Sequence, residues 1–146
     1  SDLALTSLKE YLSLDGNSIS GRVYIGNTFN ALKKSDSAKK YLSSAVDLAQ
    51  QSLIANPGNT SVMKESELAF EAMCRISLES DPQSVIKYAN AWLEINDKSA
   101  IPYVYLGFAY QKLDKKDNAC KAYSEALKRD PKNTAALKNK SAFGCP

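Results

Sequence analysis

The feature that most constrains this 146-residue chain is an internal repeat. Between Ala100 and Asn133, the apolar residues Tyr103, Leu106, Gly107 and Tyr110 recur three, one and three places apart, the spacing of one helical face. Asp114-Lys115-Lys116-Asp117 breaks the pattern, with Asp117 or Asn118 placed to cap a second helix. That helix carries Ala119, Tyr123 and Ala126, spaced four and three, and Pro131 closes the unit. Gly107, Ala119 and Ala126 are small enough to let two antiparallel helices approach closely, with aromatic rings filling the space beside them. An earlier stretch repeats the plan: Val23-Tyr24-Ile25-Gly26, then Phe29, Leu32, Asp36, Ala38, Leu42 and Ala45. Ile25 stands for Leu106, Gly26 for Gly107, Phe29 for Tyr110 and Ala38 for Ala119.

These residues resemble the tetratricopeptide repeat family, whose unit is a helix-turn-helix of about 34 residues. Its pattern runs aromatic, Leu, Gly, Tyr, Ala, aromatic, Ala, Pro. Tyr103, Leu106, Gly107, Tyr110, Ala119, Tyr123, Ala126 and Pro131 fill all eight places. In the earlier copy, Arg22 departs from the pattern where an aromatic is preferred. One repeat length before Ala38 and Leu42 stand Ala4 and Leu8, so Leu3 to Leu14 reads as the second helix of a truncated repeat. Asp15-Gly16-Asn17 then takes the place of Asp130-Pro131-Lys132, and the chain is expected to begin inside an array.

The resemblance implies an all-α fold, a right-handed α-α superhelix of antiparallel helix pairs with about seven helices in a single domain. Its parts would be a lone second helix at 1–15, a repeat at 19–55, an irregular repeat at 60–97, the best-matching repeat at 100–133 and a capping helix at 134–146. In the irregular repeat Asp81 would cap a helix that opens on Pro82. Its partner, Ser61 to Ser80, places Ala69, Ala72, Met73 and Ile76 at packing positions. Ser37 to Ala55 and Ser61 to Ser80 both read as long helices around an Asn56-Pro57-Gly58-Asn59 turn, a hairpin expected to protrude. Neutral lengthening or a partner-facing projection would both account for it.

Composition narrows the chemistry. The chain has no histidine, which excludes Ser-His-Asp and Cys-His nucleophiles, histidine-ligated metals and a histidine pH switch. Six scattered glycines form no phosphate loop, and no apolar run approaches the roughly 18 residues of a membrane span. The first residues alternate charged and apolar, against an uncleaved signal peptide. The net charge of +3 collects in a lysine-rich C-terminal end, but without the Arg and aromatic interleaving of a base-stacking surface, so nucleic acid is not an expected partner. No metal or cofactor is expected, and no catalytic residue stands out.

Among the three cysteines, no pair has CxxC spacing. Within the repeat scheme Cys120 lies near the start of one helix and Cys145 just past the end of the helix packed antiparallel on it. That leaves a disulfide or two free thiols open; a bridge would imply an extracytoplasmic compartment, free thiols the cytoplasm.

The resemblance also implies a use. First helices of this family line a concave groove that takes a segment of another protein. By repeat position the groove would be lined by Val23, Asn27 and Asn30, then Phe70, Cys74 and Ser77, then Ile101, Val104, Phe108 and Gln111, with Lys138 closing the end. Val23, Ile101 and Val104 stand where a carboxylate clamp would want basic residues, so an apolar-plus-amide groove is expected. The function implied is non-enzymatic protein binding, as an adaptor or assembly scaffold. Self-association through the N-terminal edge and the Trp92 region, and a regulatory segment of a larger protein, are the alternatives.

Overall fold

The computed structural model describes residues 2–14 and 18–146. Among these residues there are eight α-helices, one more than expected, and no strand: α1 (Asp2–Leu14), α2 (Ile19–Ala31), α3 (Ser35–Ala55), α4 (Thr60–Ser77), α5 (Pro82–Ile95), α6 (Ile101–Lys112), α7 (Lys116–Arg129) and α8 (Thr134–Ala142). The expected Asp15-Gly16-Asn17 turn lies outside the described residues. The chain divides into two compact units, one running to Ile76 and one from Ser77 to Pro146.

In the first unit α1 packs on α2, and α2 on α3. Ser18 caps α2 by accepting from the Gly21 N–H at 3.0 Å. Leu5, Ile25, Phe29 and Ala38 form a core bordered by Leu8, Leu12, Leu32, Tyr41 and Ile76. Burying side chains of the size of Ile25 and Phe29 stabilises a fold by about 1.5–3 kcal/mol each. The two helices meet closely at Gly26, where an added Cβ would lie 2.6 Å from Leu42. Arg22 ties the pair together by donating to the Ser44 hydroxyl at 2.8 Å. Helices α3 and α4 are long, as expected, with Asn56 to Asn59 between them, and every residue from Ile54 to Ser61 is exposed. The far end of this hairpin therefore adds nothing to a core. Ala69, Ala72 and Met73 are buried, and α4 stops at Ser77 rather than Ser80.

In the second unit Asp81 accepts from the Ser84 N–H at 3.2 Å and Pro82 opens α5, the cap that the sequence dictates. Helix α5 packs on α6, α6 on α7, and α7 on α8. Ala100, Val104, Ala119, Tyr123, Ala126 and Ala136 form the core. Gly107 leaves room for the Tyr123 ring, which any Cβ there would overlap. Arg129 lies 4.1 Å over the Tyr103 ring, donates to its hydroxyl at 3.0 Å and reaches the Asp97 carbonyl at 2.6 Å.

The start of α7 differs from the sequence expectation. Neither Asp117 nor Asn118 caps it; the helix begins at Lys116, and Lys115, at the cap position, makes no side-chain capping bond. The cause is the left-handed residue Asp114 (φ 59°), which lets the Lys115 N–H reach the Tyr110 carbonyl at 2.9 Å. The helix thus starts early, and Asp117 sits in its first turn, where a negative charge still favours the positive end of the helix. Asn133 caps α8 through the Ala136 N–H at 2.9 Å. Cys120 and Cys145 form a disulfide with their Cα atoms 5.5 Å apart, within the range such bridges require.

Candidate interaction site

The eleven residues assigned to a groove by repeat position separate into two sets. Val23, Phe70, Cys74, Ser77 and Val104 are buried, between 0% and 7% exposed, and line no open face. The physical reason is that helices in these pairs are covered on more than one side, and apolar side chains at the edge of the covered arc are drawn into it. Burial, with a smaller contribution from Glu71, pushes the Cys74 thiol up to about 12, so it stays protonated near neutrality. The other six, Asn27, Asn30, Ile101, Phe108, Gln111 and Lys138, reach solvent.

In the first unit only the amides remain on the surface. Asn27 accepts from the Arg75 guanidinium at 3.2 Å, and Asn30 is exposed. No apolar member of the expected groove is open beside them in that unit, since Val23, Phe70 and Cys74 are all buried.

In the second unit the C-terminal half of α6 builds something more definite. Phe108 is half-buried, set edge-on to both Tyr105 and Tyr123 with ring centroids 6.2 Å apart in each case. Such edge contacts hold an aromatic ring in place while leaving part of it open. Three residues on, Gln111 accepts a hydrogen bond from the Tyr123 hydroxyl through Oε1. Burial of Tyr123 raises its pKa, so the hydroxyl keeps its proton and remains the donor. With Oε1 engaged, the Gln111 amide nitrogen is the donor that this bond leaves unused.

Phe108 and Gln111 share a cavity of about 360 Å³ with Leu78, Lys112 and Asn139. Asn139 donates through Nδ2 to the Ala135 carbonyl at 2.7 Å, which leaves its side-chain oxygen as an acceptor. Lys112 pairs with Glu79 at 2.8 Å on the rim, and both are exposed. A ring, an aliphatic side chain, two side-chain amides and a lysine thus line a single opening. Lys138, expected to close this end, is exposed and its neighbour Asn139 lines the cavity instead. The sequence reading missed Asn139 by one place in the register of the capping helix. It missed Leu78 because it continued α4 past Ser77, and Lys112 because only one residue per helical turn was assigned to the groove.

Among the described residues no group of three or more His, Cys, Asp or Glu stands together that could hold a metal ion, and no helix is long and apolar enough to cross a membrane. Trp92 is 2% exposed, so its ring offers no surface for self-association.

No curated protein matches the chain by sequence. Residues 100–133 match the tetratricopeptide repeat family. Among solved structures, MamA aligns with a TM-score of 0.69 at 20% identity, covering 98% of this chain and 78% of that one. The Arabidopsis OM64 TPR domain aligns with a TM-score of 0.57 at 18% identity, covering 86% and 97%. The thermophilic TPR protein TTC0263 of Thermus thermophilus aligns with a TM-score of 0.55 at 15% identity, covering 98% and 74%. At these identities the likeness concerns the fold. Residues 100–133 are a tetratricopeptide repeat, and the chain has the all-α, helix-pair fold of tetratricopeptide-repeat proteins.

Proposed function

We propose that the chain is a non-enzymatic protein-binding module, an adaptor or assembly scaffold, that takes a segment of another protein on the α6–α8 face. The observation that carries this reading is the opening formed by Leu78, Phe108, Gln111, Lys112 and Asn139. A ring and a leucine provide an apolar anchor point. The Gln111 amide donor and Asn139 acceptor can satisfy the backbone of a bound segment, which would otherwise lose its hydrogen bonds to water. Five residues line the cavity, whereas a standard interface engages roughly 20–30 residues a side, so one anchoring side chain would enter it while flanking residues lie outside. A disulfide of this kind persists in an oxidising environment, which supports an extracytoplasmic location.

The reading is tested by panning a displayed peptide library against the full chain and titrating recovered peptides against two variants. Asn139→Arg fills the opening from an exposed helix, and Phe108→Ala removes the ring. Loss of at least tenfold in affinity for both variants supports the site. Peptides that bind both variants as tightly as the parent would overturn it. Val104→Asp is unsuitable as a probe, because Val104 is 5% exposed and a buried carboxylate there would unfold the unit.

A further inference from the structure

The disulfide and the opening on α6–α8 are joined through one helix. Helix α8 ends in a Schellman turn, with Gly144 left-handed at φ 70°. The Gly144 N–H reaches the Ser141 carbonyl at 3.1 Å, and the Cys145 N–H reaches the Lys140 carbonyl at 3.1 Å. The turn folds the chain back so that Cys145 meets Cys120, near the start of α7. One end of α8 is thus anchored by the buried Ala136, and the other by the bridge, with Phe143 packed on the core beside it. Asn139 lies between these anchors, three residues after Ala136 and six before Cys145. Its carbonyl takes the Phe143 N–H at 2.9 Å, so its backbone belongs to the bridged turn. A binding side chain keeps its place only as firmly as the element that carries it.

The bridge is also open to chemistry. Both cysteines are half-buried, and Cys120 lines a cavity of about 590 Å³ with Lys116, Asp117, Lys121 and Lys128. Glu125, on the same cavity, is engaged by Lys128 at 2.7 Å and by Arg129 at 2.8 Å. Lys116 and Lys121 then stand against Asp117 as the remaining charges. A Cβ on Gly144 would lie 3.4 Å from Lys116 Nζ, which puts that cation at the bridged turn. Cations beside a disulfide attract an incoming thiolate and stabilise the thiolate that leaves.

We propose that the Cys120–Cys145 bridge positions Asn139 in the α6–α8 opening, and that its reduction by a dithiol withdraws Asn139 and releases a bound segment. This rests on the binding reading of that opening and adds its regulation. A thiolate of the dithiol attacks the Cys120 sulfur, forming a mixed disulfide and expelling the Cys145 thiolate. The second thiol of the reductant then attacks its own sulfur in the mixed disulfide and expels the Cys120 thiolate. Two electrons and two protons pass to the cysteines, and the dithiol leaves as a disulfide.

The test takes peptides that lose affinity on Phe108→Ala and titrates them against the full chain before and after dithiothreitol. The oxidised chain should bind about tenfold more tightly than the reduced one, and reoxidation should restore the difference. Cys145→Ser, read without reductant, should match the reduced chain. In Asn139→Ala the dependence on reduction should fall below about twofold, since the side chain that the bridge positions is gone. Hydrogen exchange needs no peptide: on reduction the Phe143 and Cys145 amides should lose protection while α6 and α7 keep theirs. Unchanged affinity on reduction, or an undiminished dependence in Asn139→Ala, overturns the proposal. So does protection of α8 that survives reduction, or a loss that spreads through α6 and α7, because the bridge would then hold the whole unit. If no peptide responds to Phe108→Ala, the binding reading falls separately, and exchange alone decides for or against the positioning role of the bridge.

Discussion

In α6–α7 the closest approach of the helices sets Gly107 against the Tyr123 ring, whereas the same place in α2–α3 sets Gly26 against Leu42. Both pairs also carry one arginine-to-hydroxyl link, with the partners exchanged. Arg22 of the first helix donates to Ser44 of the second, while Arg129 at the end of α7 donates to Tyr103 of α6. Arg22 occupies the Tyr103 place, so the departure from the aromatic pattern exchanges a ring held by an arginine for an arginine held by a serine. Both hairpins turn on a left-handed residue after the first helix, Lys33 (φ 58°) and Asp114 (φ 59°). What the two pairs share is the backbone constraint: a residue without a side chain at the contact and a left-handed turn. What fills the space around that constraint varies. The α6–α8 region also has a covalent staple, Cys120–Cys145, whose sulfurs are 25 residues apart in sequence.

The staple is the largest difference, and its removal gives the largest expected effect. Closing a loop of this length stabilises the folded state by about 3 kcal/mol through the entropy of the unfolded chain. Guanidinium unfolding with and without a thiol reductant should show a loss of that order for the transition that reports on α6–α8. An unchanged midpoint would mean that α7 and α8 hold together without the bridge. Thiol titration supplies the chemical check. In denaturant without reductant one thiol, Cys74, should react, and three should react after reduction. In the native protein Cys74 should stay silent near neutral pH, being fully buried with its thiol pushed up to about 12. Three reactive thiols before reduction would remove the staple from the comparison.

The glycine contacts come next. Gly107→Ala drives a Cβ into the edge of a rigid, fully buried ring, and should cost about 2–3 kcal/mol. Gly26→Ala meets the branched end of Leu42, which can change rotamer, so about 1 kcal/mol is expected. Equal losses would show that Leu42 is held as firmly as Tyr123. A double-mutant cycle between Arg22→Met and Ser44→Ala should then return a coupling of about 1 kcal/mol, the worth of a part-buried hydrogen bond to a charged group. No coupling would leave the Arg22 bond to the Ser44 backbone carbonyl, at 3.3 Å, as its link across the pair.

The helix pairs were legible because their constraint is local. Three- and four-residue spacing, a small residue at the contact and Asp81-Pro82 as a helix start are all written in consecutive residues. The early start of α7 was not legible, since a left-handed Asp114 has no spelling different from a capping turn. The groove was legible only in part, for a related reason. Periodicity says that Val104 and Phe108 lie on one side of α6, but whether a side is open depends on what packs there. Val104 is 5% exposed and Phe108 stays half-open, though both were assigned to one face. Asn139 stands one place after Lys138, the residue assigned to the groove, and one place moves a side chain by about 100° around a helix.

The left-handed turns give the smallest effect and the finest test of the comparison. An L-residue with a Cβ is strained in this conformation by roughly 1 kcal/mol or more, and Asp tolerates it better than Lys because its short polar side chain can bond locally. Lys33→Gly relieves that strain, but it also loosens the unfolded chain, which offsets about 0.4–1 kcal/mol. The net stabilisation should be a few tenths of a kcal/mol at Lys33 and near zero or slightly negative at Asp114. Both N–H groups stay bonded to the preceding turn, Lys33 to the Asn30 carbonyl at 2.9 Å and Asp114 to the Gln111 carbonyl at 3.0 Å, so glycine loses no hydrogen bond in either place. Helix α8 already ends this way, with Gly144 at φ 70°. If thermal unfolding shows Asp114→Gly gaining more than Lys33→Gly, the Asp114 side chain contributes nothing to its turn. The two hairpins would then differ in their interhelical contacts alone.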